Sequence, residues 1–100
     1  MNPVPLKLVT VIAEALLEDR LVADLKSLGA RGHSISEVRG EGSRGVHASE
    51  WEGRNVRIEV LAAPAVADAI LGHLATHYFP LYAVVAYLTD VHVVRGDKYR

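Results

Sequence analysis

The densest chemistry in the sequence lies in one stretch, Gly40-Glu41-Gly42-Ser43-Arg44-Gly45-Val46-His47-Ala48-Ser49-Glu50-Trp51-Glu52-Gly53. Four glycines and the absence of an apolar period mark it as a long loop, and loops of this length in small domains carry function or stay unstructured. Glycines let the backbone turn its N–H groups toward a single point. Ser43 adds a hydroxyl donor, and Arg44 adds a guanidinium fork that matches phosphate oxygens. These are the groups a phosphate needs. The run is no Walker A loop, which requires Lys-Ser/Thr ahead of a helix, and no dinucleotide fingerprint, since a strand follows it. A flexible hairpin tip has the same composition, and the residues alone leave both readings open.

The remaining candidates are thinner. His73 and His77 are four apart on an expected helix and share a face, as a metal chelate would require. No third ligand is evident and no catalytic carboxylate lies between them, so two exposed histidines and no metal site are expected. His47 is of the residue type that can titrate near neutrality, but nothing ties it to a ligand, and His92 reads as a surface or interface residue. Trp51 is either an anchor for a partner protein or the start of a strand. Arg95 ends a strand, where it could meet a phosphate or pair with Asp97, and Lys98 and Arg100 form a basic tail. No Ser-His-acid set, carboxylate pair or metal cluster supports catalysis, so no enzyme is expected. The competing readings are a small ferredoxin-like trimeric hydrolase or isomerase with His33 or His47 as base, and a metal-binding trimer.

One hundred residues make one core. Half the residues are hydrophobic and 23% are charged, which excludes a disordered chain. A net charge of −1 gives no global field to hold nucleic acid or an anionic membrane. With no cysteine there is no disulfide and no thiolate site. No apolar run is long enough to span a bilayer and no signal peptide is visible, so a cytoplasmic protein is expected.

Six segments must position these groups. Residues 6–13 are an apolar, β-branched run and read as a strand. From 14 to 28, Leu17, Leu21, Leu25 and Leu28 form a helical stripe flanked by Leu16 and Val22, while Glu18, Asp19, Asp24 and Lys26 face away; Gly29 closes the helix. Residues 31–39 make a weak polar strand, and 55–62 a cleanly alternating one. Pro64 opens a second helix with Val66, Ile70, Leu74 and Tyr78 at i+4 steps; residues 82–94 form a last strand. The order β-α-β-β-α-β predicts an α+β, ferredoxin-like fold, an antiparallel sheet with two helices on one face. Both parities of the first and last strands are apolar, so the sheet needs a second cover, and a homo-oligomer is expected.

The run from Gly29 to Arg44, Gly-Ala-Arg-Gly-His-Ser-Ile-Ser-Glu-Val-Arg-Gly-Glu-Gly-Ser-Arg, resembles the signature of PII-type signalling proteins, in which an edge strand leads into the T-loop. It is most similar to the PII-like branch associated with bicarbonate transporters and carboxysomes, whose second helix ends in Tyr-Phe-x-x-Tyr-Ala, as Tyr78, Phe79, Tyr82 and Ala83 do here. The resemblance implies a single PII-like domain that forms homotrimers and binds the effectors ADP, AMP or ATP in clefts between neighbours, with no tightly bound cofactor. It implies His33, Ser34 and Ile35 beside the adenine, and Gly40, Gly42, Ser43, Arg44 and Gly45 on the phosphates. Tyr82, Ala83 and Val84 would take the place of the B-loop, and Arg95 would reach a phosphate from the other side. Bicarbonate as a second effector would share Ser43, Arg44 and Arg95, and a bicarbonate transporter or carboxysome protein would meet the loop at 41–53. The loop has no tyrosine to be uridylylated, and the Gly-Asp-Gly-Lys of the PII B-loop is absent.

Overall fold

The computed structural model describes residues 2–40 and 54–100. Val46, His47 and Trp51 therefore lie outside the described residues, as do Gly42, Ser43, Arg44 and Gly45.

Strand β1 is Val4–Glu14, β2 is Ser34–Val38, β3 is Asn55–Ala62 and β4 is Val85–Val93; helices α1 and α2 are Glu18–Ser27 and Pro64–His77. The sheet order is β2-β3-β1-β4 with every neighbouring pair antiparallel, the ferredoxin-like arrangement that the order of segments predicts. Register divides the sheet cleanly. Val9, Val11 and Ala13 lie across from Val60, Ile58 and Val56 and are buried under Leu17, Leu21 and Leu25 of the first helical segment and Ala67, Ile70 and Leu74 of α2. The other face carries Leu8, Thr10 and Ile12 beside Thr89, Tyr87 and Val85, with Leu61, Glu59 and Arg57 on the far side. Among the described residues no helix covers it, and Val85 and Tyr87 are 57% and 45% exposed.

Gly29 ends α1 at a φ of 110°, which a side chain would resist, and Ala30 N–H returns to the Leu25 carbonyl. Beyond the shifted ends of β1 and β2, three features differ from the expected ones. The first helical segment opens with a single 3₁₀ turn, Ala15–Leu17, whose tighter winding leaves Leu16 exposed instead of in the apolar stripe. β4 begins at Val85, not at Tyr82, because the N–H groups of Leu81 and Tyr82 are still bound to the Tyr78 carbonyl after Pro80. In α2 the buried stripe runs through Ala67, Ile70, Leu74 and on to Tyr78, and Val66 is only half-buried.

Asp24 and His73 correct the sequence reading. Neither is a freely solvated helix residue. Asp24 Oδ2 accepts a hydrogen bond from the Tyr78 hydroxyl at 2.5 Å and lies 3.0 Å from His73 Nε2, which must carry the proton since a carboxylate only accepts. Arg20 donates to the Tyr82 hydroxyl at 3.1 Å and lies 4.7 Å above the Tyr78 ring. This network ties α1 to α2 and to the segment that precedes β4.

Burial, and then the bond to the Asp24 carboxylate, push the Tyr78 hydroxyl up to about 12 from an ordinary 10.0. Burial also pulls Asp24 upward, but the bonds from Tyr78 and His73 outweigh it and hold the carboxyl below its ordinary value. The two signs are opposite. Asp24 contributes stability above the ordinary carboxylate range, and that contribution is lost as pH falls through its lowered value. Tyr78 keeps its proton in the fold after an unfolded tyrosine has lost it, so stability declines between pH 10.0 and about 12. Denaturant titrations across both windows are expected to show both declines, with Tyr78→Phe flattening the alkaline one. An unchanged alkaline slope in that variant would show that the hydroxyl is not the group responsible.

Candidate functional site

The uncovered face of the sheet is not wholly bare. Gly96, held under Val93 and Val4, turns the chain back after β4, and Arg95 accommodates that turn at a φ of 64°. The tail then winds a 3₁₀ turn, Asp97–Tyr99, which brings the Tyr99 ring against Gly32 just ahead of β2. A Cβ on Gly32 would sit 3.9 Å from that ring, so the approach is close but not dependent on glycine.

Between tail and sheet lies a cleft of about 410 Å³ lined by Leu8, Gly32, His33, Ser34, Glu59, Leu61, Lys98 and Tyr99. Its floor is apolar: Leu8 and Leu61 face each other across the β1–β3 ladder. Its walls are polar. Ser34 lies across from Glu59 on β3, and His33 precedes Ser34 at the strand entry. Lys98 adds a cation on the side of the tail. An apolar floor with a few convergent donors and acceptors suits a flat, hydrogen-bonding ring, and the volume lies within the range of small-molecule sites. A second cleft at the base of the loop, about 240 Å³, is lined by Glu18, Asp19 and Glu37 with Arg54; its carboxylates repel an anion.

Of the residues the resemblance points to, His33 and Ser34 line the first cleft and Ile35 does not. Ile35 is paired with Ile58, which places it on the helix side of the sheet, opposite to Ser34. Gly40 is exposed two residues beyond β2, with no other described residue within 4 Å of where its Cβ would stand. Tyr82 and Val84 pack on the core and Ala83 is exposed, so the first two offer a ligand backbone groups more than side chains. Arg95 is exposed at the far end of β4. Asp97, its expected alternative partner, is bound instead by Arg100 at 2.6 Å. Val84 and Arg95 are separated by the whole of β4, roughly 35 Å at strand rise. β2 and β4 occupy opposite edges of the sheet, about 14 Å apart across two intervening strands. One subunit therefore cannot bring all these residues to one ligand.

Sequence reasoning missed Leu8, Glu59, Leu61 and Tyr99. Alternation marks Glu59 and Leu61 as facing away from the helices, but nothing local says that the tail returns to cover them. Lys98 carried a signal as part of the basic tail. Among the described residues no group of three or more His, Asp or Glu side chains is arranged to hold a metal ion, and no helix is long and apolar enough to cross a membrane.

The family model for nitrogen regulatory protein P-II matches residues 6–98. Among solved structures, a PII-like protein of Thermus thermophilus is 55% identical, superposes with a TM-score of 0.89 and is matched over 100% of both chains. CPII of Thiomonas intermedia is similar in fold. Its structure bound to ADP, AMP and acetate has a TM-score of 0.82 at 20% identity, covering 100% of this chain and 99% of that one. Its structure bound to ADP and bicarbonate has a TM-score of 0.84 at 22% identity, covering 98% and 97%.

Proposed function

The chain belongs to the nitrogen regulatory protein P-II family, whose members are signalling proteins and not enzymes, and from that membership we propose that it is an adenine-nucleotide sensor. It works as a homotrimer and takes ADP, AMP or ATP in the clefts between subunits. The observation that carries this reading is the cleft at the entry to β2, where His33 and Ser34 stand over Leu8 and Leu61 beside Glu59. Leu8 and Leu61 support an adenine ring, while Ser34 and Glu59 offer hydrogen bonds to the base or ribose.

The split of the other residues argues for a site shared between copies. A neighbour is needed to bring Arg95, or Tyr82 to Val84, to a nucleotide seated at β2 of the first subunit, and the uncovered apolar face supplies the surface for that neighbour. The phosphates lie toward Gly40, with Gly42, Ser43, Arg44 and Gly45 completing their shell. Phosphate supplies the charge that Arg44 and Arg95 both require, so binding links two subunits and orders the base of the loop.

The finer assignment follows CPII, which was solved with ADP and bicarbonate. Bicarbonate binds beside the phosphate on Ser43, Arg44 and Arg95, so that each ligand strengthens the other reciprocally. The loop at 41–53 reports this state to a bicarbonate transporter or a carboxysome protein in the cytoplasm. Calorimetry with ADP, AMP and ATP, each with and without bicarbonate, tests the reading alongside sedimentation. One saturable adenylate site per subunit of a stable trimer is expected, with tighter binding when bicarbonate is present and no product formed from ATP. Absence of binding by all three adenylates would overturn it.

A further inference from the structure

We propose that Arg57 is a ligand-reading residue: its guanidinium receives the phosphate nearest the nucleoside. The inference rests on the adenine-nucleotide reading above and extends it to a residue outside the cleft. Arg57 is the third residue of β3 and lies on the uncovered face, across from Ile12 on β1 and Ser36 on β2. Its Nε is shut off from water with no hydrogen-bond partner, and no ion pair engages its guanidinium among the described residues. An atom closed to water is closed to a phosphate oxygen as well, so the contact falls to the two Nη groups, which hold no hydrogen bond among the described residues and present the planar fork that phosphate matches.

Register gives the distance and the direction. The pair Ser36–Arg57 is two residues along the ladder from the pair Ser34–Glu59 that walls the cleft, and it lies toward Gly40. Two residues on one face of a strand span roughly 7 Å. That is about the width of a ribose, so a nucleoside seated against Ser34 and Glu59 extends its first phosphate to Arg57. Electrostatics sets the same polarity. The Glu59 carboxylate repels phosphate from the cleft itself and accepts from hydroxyl or amino groups of the nucleoside. The opposing arrangement turns the phosphate toward Lys98, the cation on the tail side.

The test titrates adenosine, AMP and ADP into the wild-type protein and into Arg57→Ala, Arg57→Gln and Lys98→Ala, with oligomer mass followed in parallel. Arg57→Gln keeps a polar, similarly shaped side chain should Arg57→Ala fail to fold. The expected result is that both Arg57 variants bind AMP tenfold or more weakly, the loss of one charge-assisted contact. Adenosine should stay within about twofold and the ADP-to-AMP ratio should be unchanged, since only the first phosphate is read. Equal weakening of adenosine and AMP, an unaltered preference for AMP, dissociation of the oligomer, or loss of the preference in Lys98→Ala would each overturn the assignment. A wild-type protein that bound none of the three would overturn the sensor reading itself.

Discussion

Tyr87→Glu is expected to leave the protein monomeric at micromolar concentration, where the unmodified chain is expected to sediment as a trimer. Tyr87 stands on the uncovered face of β4 across from Thr10, with Val85 and Thr89 on either side along the strand. It is 45% exposed and Val85 57% exposed, while the surrounding Leu8 and Ile12 are only half-buried. A second subunit closing over this face would remove the new carboxylate from water, and neither Thr10 across the ladder nor Val85 and Thr89 along the strand offers it a cation. The effective penalty for burying an unpaired ion is several kcal/mol, and a trimer meets it three times. Leu81→Glu serves as the control: Leu81 is 72% exposed in the turn before β4, and the substitution there should leave the mass unchanged. Adenylate binding should disappear with the trimer in Tyr87→Glu, because the shared cleft disappears. A Tyr87→Glu protein that still sedimented as a trimer would show that this face is not where the copies meet.

Tyr78→Ala is expected to lower the unfolding free energy by about 3–5 kcal/mol, the range for removing a large buried aromatic side chain. Tyr78 is fully buried at the end of α2 and gives Asp24 its shortest hydrogen bond, and Arg20 lies over its ring. The substitution thus removes core volume and leaves a partly buried carboxylate with one donor fewer. Small domains have only about 5–15 kcal/mol in total, so the variant should unfold at much lower denaturant. Tyr78→Phe keeps the ring and should cost about 1–3 kcal/mol, the range for unpairing a buried polar group. Tyr78→Ala unfolding within 1 kcal/mol of wild type would mean that the helix pair does not depend on this contact.

The bounds of β3 and the first residue of α2 were legible because their signals are local. Strict alternation marks β3, and Pro64 supplies a helix start with its φ already set. The ends of β4 and the exposure of Leu16 were not, because each is decided by how one turn winds: the hydrogen bonds around Tyr78 in one case and a 3₁₀ turn in the other. Apolar periodicity sees neither. His33 and Ser34 could be singled out only through a family resemblance; their residue types alone carry no site signal.

What the sequence by itself determined is the order of elements, the antiparallel ferredoxin-like sheet they compose, and the two-faced apolarity that calls for another copy. These follow from periods of two and 3.6 and from Gly29 and Pro64, which act within a few residues of themselves. Tertiary structure alone decided which side chains meet. Asp24 finds Tyr78 and His73, 54 and 49 residues away, only once α1 lies against α2. Leu8, Glu59, Leu61 and Tyr99 become the lining of one cleft only when ladder register and the returning tail bring three distant segments together. The physical reason is the range of the forces involved: propensity and capping act along the chain, whereas burial and hydrogen bonding between elements act through space and depend on a register that no local pattern encodes.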